Sequence, residues 1–462
     1  MRRFMVLAST LLVIASACGG GAPGAAPAGG GGEAAGVKVP AKDLAPASKI
    51  VFWHAMSGVN GDAVARIVKD FNASQNKITV EAIFQGTYDD ALAKLNTALS
   101  SNSGPAMMQV FDIGQRFMVD SGEVVQMQGF VDRDKFDTSD FEPAVLNYYK
   151  VQDKLYSMPF NSSSAILYYN KEAFKEVGLD PEKAPATFDE VLDYAKKLTK
   201  KDASGATVRY GFGPSIYGWL FEQWLAVSGG FFADNGNGRD AKATKVLFND
   251  EKGKAILDWW KAGFESGAFY NPGVDNDGAA NAFNAGKTAM YVESTARLRG
   301  HINSTAGKFT VGTGRYPKPN NAPADGGNII GGASVYIMSG RPDAEQQAAW
   351  EFVKFISSPA VQAQWQADTG YYPIRKAAYN EGPSKEWATK YPQFLTAVDQ
   401  IRTAPQNRKT NGAVLGVFAE ARRRIQTAIE SVLLGKSSTQ VALDSAATDM
   451  NAAIEKYNKT TK

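Results

Sequence analysis

The sequence has 462 residues, of which 44% are hydrophobic and 21% are charged, the balance of a globular protein that can bury large cores. This length exceeds one ordinary domain and predicts two lobes. With 50 basic and 47 acidic residues the net charge is +3, which excludes the strongly basic footprint of a nucleic-acid-binding protein. Cys18 is the single cysteine, so a disulfide within the chain is also excluded.

The N-terminal residues indicate export. Arg2 and Arg3 precede an apolar stretch, residues 4–17, that is too short to span a bilayer. Small residues then lead to Cys18, which favours lipoprotein processing with acylation of Cys18; plain signal-peptidase cleavage nearby is the alternative. We therefore predict a signal peptide over 1–17 and, from their Gly, Ala and Pro content, a flexible tether over 18–48.

From Lys49 the hydrophobic pattern alternates between strands and helices. Apolar runs at 50–53, 78–84 and 107–111 predict three strands, and apolar residues at helical spacing predict a helix between each pair. This order predicts an open parallel sheet with helices on both faces. Because ligands of such sheets bind at the carboxyl ends of the strands, residues 54–58, residues 86–88 and Asp112 are candidate binding positions.

A second α/β unit is predicted from the polar cluster 161–164 onward. The cluster precedes an apolar strand, 165–169, and fits the wall of a cleft and an ordinary turn equally well. A capping box at 187–190 opens a helix, and two later strands end near Ser294 and follow residues 329–334. The aromatic residues between 210 and 232 are predicted to be mostly core. Helices over 343–368 and two long helices complete the chain.

The sequence lacks the residues that most enzymes and metal sites need. His54 and His301 are the only histidines, and neither lies beside a nucleophile elbow, which argues against Ser-His-Asp hydrolysis. These residues and Cys18 do not make an ordinary zinc site, and 234–240 has the composition of a surface turn without calcium-loop spacing. We predict no catalytic residue, metal or cofactor, although residue counting does not exclude a glycosidase.

Five strings carry a resemblance to a known family. They are FWHAMSG (52–58), PFNSSSAILYYNKEAF (159–174), GLDPE (178–182), IIGGAS (329–334) and TGYYPIRKAAY (369–379). In this order the chain resembles the extracellular solute-binding proteins (family 1) of ABC importers, in particular those that bind glycerol phosphates, from residue 50 to about residue 435. The resemblance implies a type II periplasmic-binding-protein fold, in which two α/β lobes joined by a hinge close on a ligand in the cleft between them.

The resemblance also implies lobe boundaries and a function. Lobe 1 would comprise 49–160 and 294–340, and lobe 2 would comprise 161–293 and 341–462. The protein would be an exported, non-enzymatic monomer that captures glycerol 3-phosphate or a glycerophosphodiester, such as glycerophosphocholine, and delivers it to an ABC permease. Its contact with the membrane would be through a lipid anchor only.

Carrying the family's ligand residues across gives eight candidate positions. They are Tyr88, Asp112, Ser163, Phe188, Ser294, Gly332, Tyr371 and Arg422. The Arg422 guanidinium can hold two phosphate oxygens, and the Asp112 carboxylate can accept hydrogen bonds from glycerol hydroxyls. Because 422–424 are consecutive arginines about 100° apart on a predicted helix, at most one of them faces a cleft. Asp112 is shorter than the family's usual Glu, and Phe188 stands where some members have Trp, so a larger ligand with a head group is expected.

Two other functions remain open from the sequence. An oligosaccharide-binding protein would share the fold and could use Trp219 and Trp224 as stacking platforms. An exported hydrolase acting on carbohydrate or phosphodiester would need two carboxylates in the cleft or a metal site.

Overall fold

The computed structural model describes residues 38–101 and 103–461. Within them the strands are β1 (Lys49–His54), β2 (Thr79–Phe84), β3 (Met107–Phe111), β4 (Lys150–Val151), β5 (Lys154–Leu155), β6 (Met158–Ser163), β7 (Ala165–Asn170), β8 (Lys200–Lys201), β9 (Thr207–Phe212), β10 (Thr288–Ser294), β11 (Val311–Gly314) and β12 (Gly331–Ile337). The helices are α1 (Gly58–Ser74), α2 (Tyr88–Ser100), α3 (Gln115–Ser121), α4 (Met127–Asp134), α5 (Pro143–Tyr148), α6 (Lys171–Glu176), α7 (Phe188–Leu198), α8 (Gly218–Val227), α9 (Asp234–Gly238), α10 (Glu251–Glu265), α11 (Asn276–Asn284), α12 (Leu298–Thr305), α13 (Asp343–Ile356), α14 (Pro359–Thr369), α15 (Gly382–Lys390), α16 (Thr396–Thr403), α17 (Phe418–Leu433) and α18 (Thr439–Thr460).

Sheet 1 has the strand order β2-β1-β3-β12-β6. The first three strands are parallel, as the alternating pattern predicted, and β12 is antiparallel to both of its neighbours. All five residues of β3 are buried because helices cover the sheet. The parallel strands end at one edge, which brings His54, Gln85 and Asp112 to the same side of the molecule.

Sheet 2 has the strand order β11-β7-β10-β9-β8, with β7 antiparallel to β10 and β11. Every residue of β7 is buried, as its apolar sequence predicted. Because β6 of sheet 1 and β7 of sheet 2 are separated only by Ser164, the polar cluster 161–164 is the crossing between the sheets. All four of its residues are buried, so the cluster is not a solvated turn.

The division between the two halves differs from the predicted lobe boundaries. β11 lies within 294–340 but pairs with β7 of sheet 2. α13 lies within 341–462 but packs against β1 and β12 of sheet 1. The chain therefore crosses between the sheets more often than predicted, because antiparallel strands and covering helices can be added to either sheet without a local sequence signal.

Residues 38–48 of the predicted tether, 18–48, are folded; the rest of the predicted tether lies outside the described residues. Pro40 is buried, and its carbonyl oxygen accepts a hydrogen bond from Arg133 Nη1 at 2.7 Å. The Ala47 amide donates to the Ala344 carbonyl oxygen at 2.8 Å, so residues 38–48 are part of the folded domain. The predicted signal peptide and Cys18 lie outside the described residues. No helix among the described residues has the length and apolar character to cross a membrane.

A turn lies at α9, where the sequence predicted a surface turn, but Asn237 and Gly238 within it are buried. Asn235, Gly236 and Asn237 have φ values of 50°, 62° and 64°, so this element is a left-handed turn rather than a regular α-helix. The Asn237 side chain accepts hydrogen bonds from the amides of Phe232 and Ala233, which uses the amide oxygen to fix the turn.

Candidate functional site

An ionic group of three residues lies between the edge of sheet 1 and two helices of the other half. Arg422 of α17 donates from Nε to Glu222 Oε1 at 2.6 Å and from Nη2 to Glu222 Oε2 at 3.0 Å. It also donates from Nη2 to Asp112 Oδ2 at 2.7 Å and from Nη1 to Asp112 Oδ1 at 3.3 Å. Two carboxylates thus hold one guanidinium along two of its edges, the geometry in which arginine binds carboxylates most strongly.

The close approach of α8 and α17 places Glu222 beside Arg422. A Cβ at Gly218, the first residue of α8, would lie 2.8 Å from both Cα and the carbonyl oxygen of Arg422, so only glycine fits there. Glu222 follows four residues later and therefore lies on the same face of α8. Asp112 reaches the group because it directly follows β3 at the carboxyl edge of sheet 1.

All three charged side chains of this group are buried, with exposed fractions of 4% to 5%. Burial raises the pKa of Glu222 to about 7, against the opposing attraction of Arg422. Burial disfavours the charged form of Arg422 as well, but Asp112 and Glu222 together raise its pKa well above the usual value. Arg422 is therefore fixed as a cation. Of the three consecutive arginines only Arg422 is buried.

A network of amides and hydroxyls lies beside the ionic group. Gln109 Oε1 accepts from the Ala55 amide at 2.9 Å, and Gln109 Nε2 donates to Asn161 Oδ1 at 2.7 Å. Asn161 Nδ2 donates in turn to the Tyr88 hydroxyl at 3.0 Å. Tyr371 lies beside Tyr88, and burial raises the pKa of both tyrosines. These side chains are the donors and acceptors that a polyol ligand requires.

Two glycines of β12 lie against residues of the site. Gly332 has φ +97°, and a Cβ there would lie 1.8 Å from the Asn161 carbonyl oxygen. A Cβ at Gly331 would lie 2.4 Å from Cζ2 of Trp219 and 3.2 Å from Oγ of Ser163. The Trp219 ring therefore rests on the β12 backbone beside Ser163. Its Nε1 is buried and has no hydrogen-bond partner among the described residues.

The structure brings together six of the eight residues predicted from the sequence. Asp112 and Arg422 are in direct contact, Tyr88 and Tyr371 lie side by side, and Ser163 and Gly332 lie on the paired strands β6 and β12. Ser294 lies near the sheet crossing, because the following amide, that of Thr295, donates to the Ser164 carbonyl oxygen at 3.0 Å. The Ser294 hydroxyl is used within its own turn, where it accepts from the Ala296 amide at 3.1 Å.

Phe188 does not join this group. Its ring stacks on Trp259 with a centroid distance of 4.1 Å and meets Trp224 edge-on, and only 6% of the residue is exposed. The expected role of Phe188 in the pocket is therefore corrected: as the first residue of α7 it packs into the core of the second half. Trp224 is buried in the same aromatic core, so of the two tryptophans offered as stacking platforms only Trp219 lies at the site.

Two residues of the site, Asn161 and Glu222, were not among the candidate ligand positions, and Trp219 was named only as a stacking platform for a sugar. Glu222 had a usable signal, since α8 is apolar at most positions and buried at every one, and a lone acid in such a helix needs a cationic partner. Asn161 was recognised only as part of a polar cluster, and its contacts come from residues distant in sequence.

Comparison with known proteins agrees with this architecture. Residues 66–396 match the model of the bacterial extracellular solute-binding protein family. The chain is 33% identical over 422 residues to the sn-glycerol-3-phosphate-binding periplasmic protein UgpB of Pectobacterium atrosepticum, covering 90% of this chain and 93% of that protein. It is also 33% identical to UgpB of Escherichia coli K12 over 419 residues, which are 89% of this chain and 94% of that protein.

The fold has a solved counterpart. The crystal structure of UgpB from Mycobacterium tuberculosis in complex with glycerophosphocholine matches with a TM-score of 0.76 at 21% identity, covering 89% of this chain and 99% of that chain. This likeness confirms the predicted type II periplasmic-binding-protein fold with two α/β lobes. The sequence match over nine-tenths of the chain and the shared fold lead to one conclusion: this protein belongs to the family of bacterial extracellular solute-binding proteins.

Proposed function

We propose that this protein is the substrate-binding component of an ABC importer and that its ligand is a glycerol phosphate or a glycerophosphodiester. The observation that carries the proposal is Arg422, a buried guanidinium whose Nη1 and Nη2 face sheet 1 across the site. Relatives named for glycerol 3-phosphate and a structural counterpart that holds glycerophosphocholine support the ligand class.

Ligand binding would exchange one partner of Arg422. A phosphate group has the same fork of acceptor oxygens as the Asp112 carboxylate and can replace it on Nη1 and Nη2. Glu222 would keep its hold on Nε and preserve the orientation of the guanidinium. The displaced Asp112, together with Tyr88, Asn161 and Tyr371, would then accept or donate hydrogen bonds to the glycerol hydroxyls.

The protein would act by binding and not by catalysis. Asp112 and Glu222 are the carboxylates of the ionic group, and both are bonded to Arg422 rather than placed to act as acid and base. The ligand would leave unchanged to an ABC permease. The chain would be exported and monomeric, held at the membrane by acylation of Cys18.

Trp219 favours a second candidate, an oligosaccharide ligand. Its ring contacts the β12 backbone at Gly331, and its Nε1, which has no hydrogen-bond partner among the described residues, offers a donor to a sugar. A sugar would not require Arg422 as a charge partner, and this difference separates the two candidates.

Substitution of Arg422 tests the proposal. Arg422→Ala is expected to weaken the binding of glycerol 3-phosphate and of glycerophosphocholine by at least about 30-fold, since a charge-assisted pair contributes roughly 2 kcal/mol or more to the binding free energy. Calorimetric titration measures both affinities, and circular dichroism checks the fold. Arg423→Ala is the matched control, because the Arg423 side chain is 62% exposed.

The variant Arg422→Met/Glu222→Gln/Asp112→Asn removes all three buried charges and leaves no unpaired carboxylate, so a loss of binding there cannot be ascribed to a buried charge without a partner. Maltodextrin binding with no glycerophosphate binding in the unaltered protein would instead favour the sugar candidate. Hydrolysis of glycerophosphocholine to glycerol 3-phosphate and choline, or to glycerol and phosphocholine, would contradict the non-enzymatic role.

A further inference from the structure

The ionic group carries more negative than positive charge. Asp112 and Glu222 share one guanidinium, and among the described residues no other cation lies within ion-pair distance of either carboxylate. When all three residues are ionised, their net charge is −1 in a region where each is at most 5% exposed. Burial makes such an imbalance matter far more than it would at the surface.

The two carboxylates are not equivalent. Glu222 is held on α8, which packs directly on α17 through Gly218, so it stays with Arg422 whatever happens at the edge of sheet 1. Asp112 belongs to sheet 1 and meets only the Nη1 and Nη2 end of the guanidinium. A ligand that replaces Asp112 therefore finds an arginine whose charge Glu222 already balances.

The charge of the ligand then decides how well it fits. A phosphodiester carries one negative charge, whereas a phosphomonoester carries about −1.5 to −2 at pH 7, with a second pKa near 6. The second charge of the monoester would lie beside Glu222 and the displaced Asp112, which among the described residues have no cation other than Arg422 within ion-pair distance. The neighbouring ring of Tyr217, 6.0 Å from the Arg422 guanidinium, brings no positive charge.

We propose that Glu222 is a specificity-determining residue that limits the ligand to a single negative charge, so that the site selects glycerophosphodiesters over dianionic glycerol 3-phosphate. The inference rests on the proposed function and narrows its ligand. It assigns Glu222 a role besides orienting Arg422: it sets the charge that the site accepts.

A matched pair of ligands isolates this effect. Glycerol 3-phosphate and its methyl diester, glycerophosphomethanol, differ by one methyl group and one charge. Calorimetric titration at pH 8 of the unaltered protein is expected to show at least tenfold tighter binding of the diester. In Glu222→Gln this preference should fall at least tenfold, because the amide keeps a hydrogen-bond acceptor for Arg422 and removes the charge.

The control variant is Glu430→Gln, an exposed acid on the same helix as Arg422, which changes the net charge of the protein equally. Its ligand preference should equal that of the unaltered protein. If Glu222 only orients Arg422, Glu222→Gln would weaken the binding of both ligands equally and leave the ratio of their affinities unchanged. That result would overturn the inference.

A second measurement needs no variant. In the unaltered protein the preference for the diester should rise between pH 5 and pH 8, as the monoester loses its second proton near pH 6. The titratable groups facing Arg422 are Asp112, Glu222, Tyr217 and Tyr148. Protonation of Glu222, whose pKa burial raises to about 7, acts in the same direction at low pH.

A ratio that stays constant with pH would overturn the inference and leave the proposed function standing. Failure of both ligands to bind at any pH would overturn the proposed function, and the inference with it.

Discussion

The buried side chain of His301 is held in its neutral form by its surroundings. His301 is 1% exposed; its Nδ1 contacts Asn284 Oδ1 at 2.7 Å and its Nε2 is hydrogen-bonded to the Tyr291 hydroxyl. With Nδ1 as donor and Nε2 as acceptor, the neutral ring satisfies both partners. Burial lowers the pKa of His301 to about 3. The ring is therefore neutral in the folded protein at any moderately acidic pH.

This burial predicts a loss of stability in mild acid. In the unfolded chain His301 takes up a proton near pH 6.5, whereas in the folded protein it does so only near pH 3. The contribution of His301 to the free energy of unfolding is complete above pH 6.5 and decreases as the pH falls, by about 2 kcal/mol at pH 5. Urea unfolding from pH 7.5 to pH 5 measures the slope. In His301→Gln that part of the slope should disappear, and an unchanged slope would contradict the assignment.

Residues of the site differed in how far the sequence revealed them. Tyr88 and Asp112 could be predicted because strand ends of a parallel sheet share an edge. The contact of Arg422 with Glu222 could not, since the two residues are 200 positions apart and meet only through the packing of two helices. Phe188 was misplaced because an aromatic residue at the start of an amphipathic helix looks the same whether it faces a pocket or the core.

At the scale of elements, β12 determines the shape of the site. It is antiparallel to both β3 and β6, and its pairing with β6 shifts register between Ala333 and Ser334. Gly332, just before this irregularity, has a positive φ and touches the β6 backbone. A side chain at this position would be strained by its own backbone and would also clash with Asn161.

Gly332→Ala should therefore destabilise the protein by at least about 2 kcal/mol and abolish ligand binding. Gly300→Ala is the matched control: Gly300 lies in α12, has no atom within 4 Å of the position of a Cβ, and should tolerate alanine or gain up to about 1 kcal/mol. Chemical denaturation compares the two. Equal stability of the two variants would show that β12 is more adaptable than its geometry indicates.

The sequence predicted the parallel half of sheet 1 well but not the additions to it. Periodic apolar runs joined by helices admit few arrangements, because parallel crossovers are right-handed. β11 spans only Val311–Gly314 and contains two glycines, so its pairing with β7 depends on tertiary contacts and not on a local pattern. The same holds for α13, whose apolar face fits either sheet.

For the molecule as a whole, the Asp112–Arg422 pair connects the half built on sheet 1 with the half that carries α17. Asp112→Asn should weaken this connection while the Glu222–Arg422 pair keeps the guanidinium in place. We expect the ligand-free variant to have a larger radius of gyration than the unaltered protein by small-angle X-ray scattering, and ligand to reduce the difference. Asp132→Asn, at an exposed position, should scatter like the unaltered protein. Identical curves for all three proteins would contradict a connecting role for Asp112.

The docking of residues 38–48 has a mechanical consequence. Pro40 is held by Arg133 of α4, and Ala47 is bonded to Ala344 of α13, so the chain enters the domain on the side of sheet 1. Any load applied through the preceding residues is therefore transmitted to the half that contains Asp112. The half that contains Arg422 and Glu222 bears none of it directly, because residues 38–48 are bonded to the half built on sheet 1.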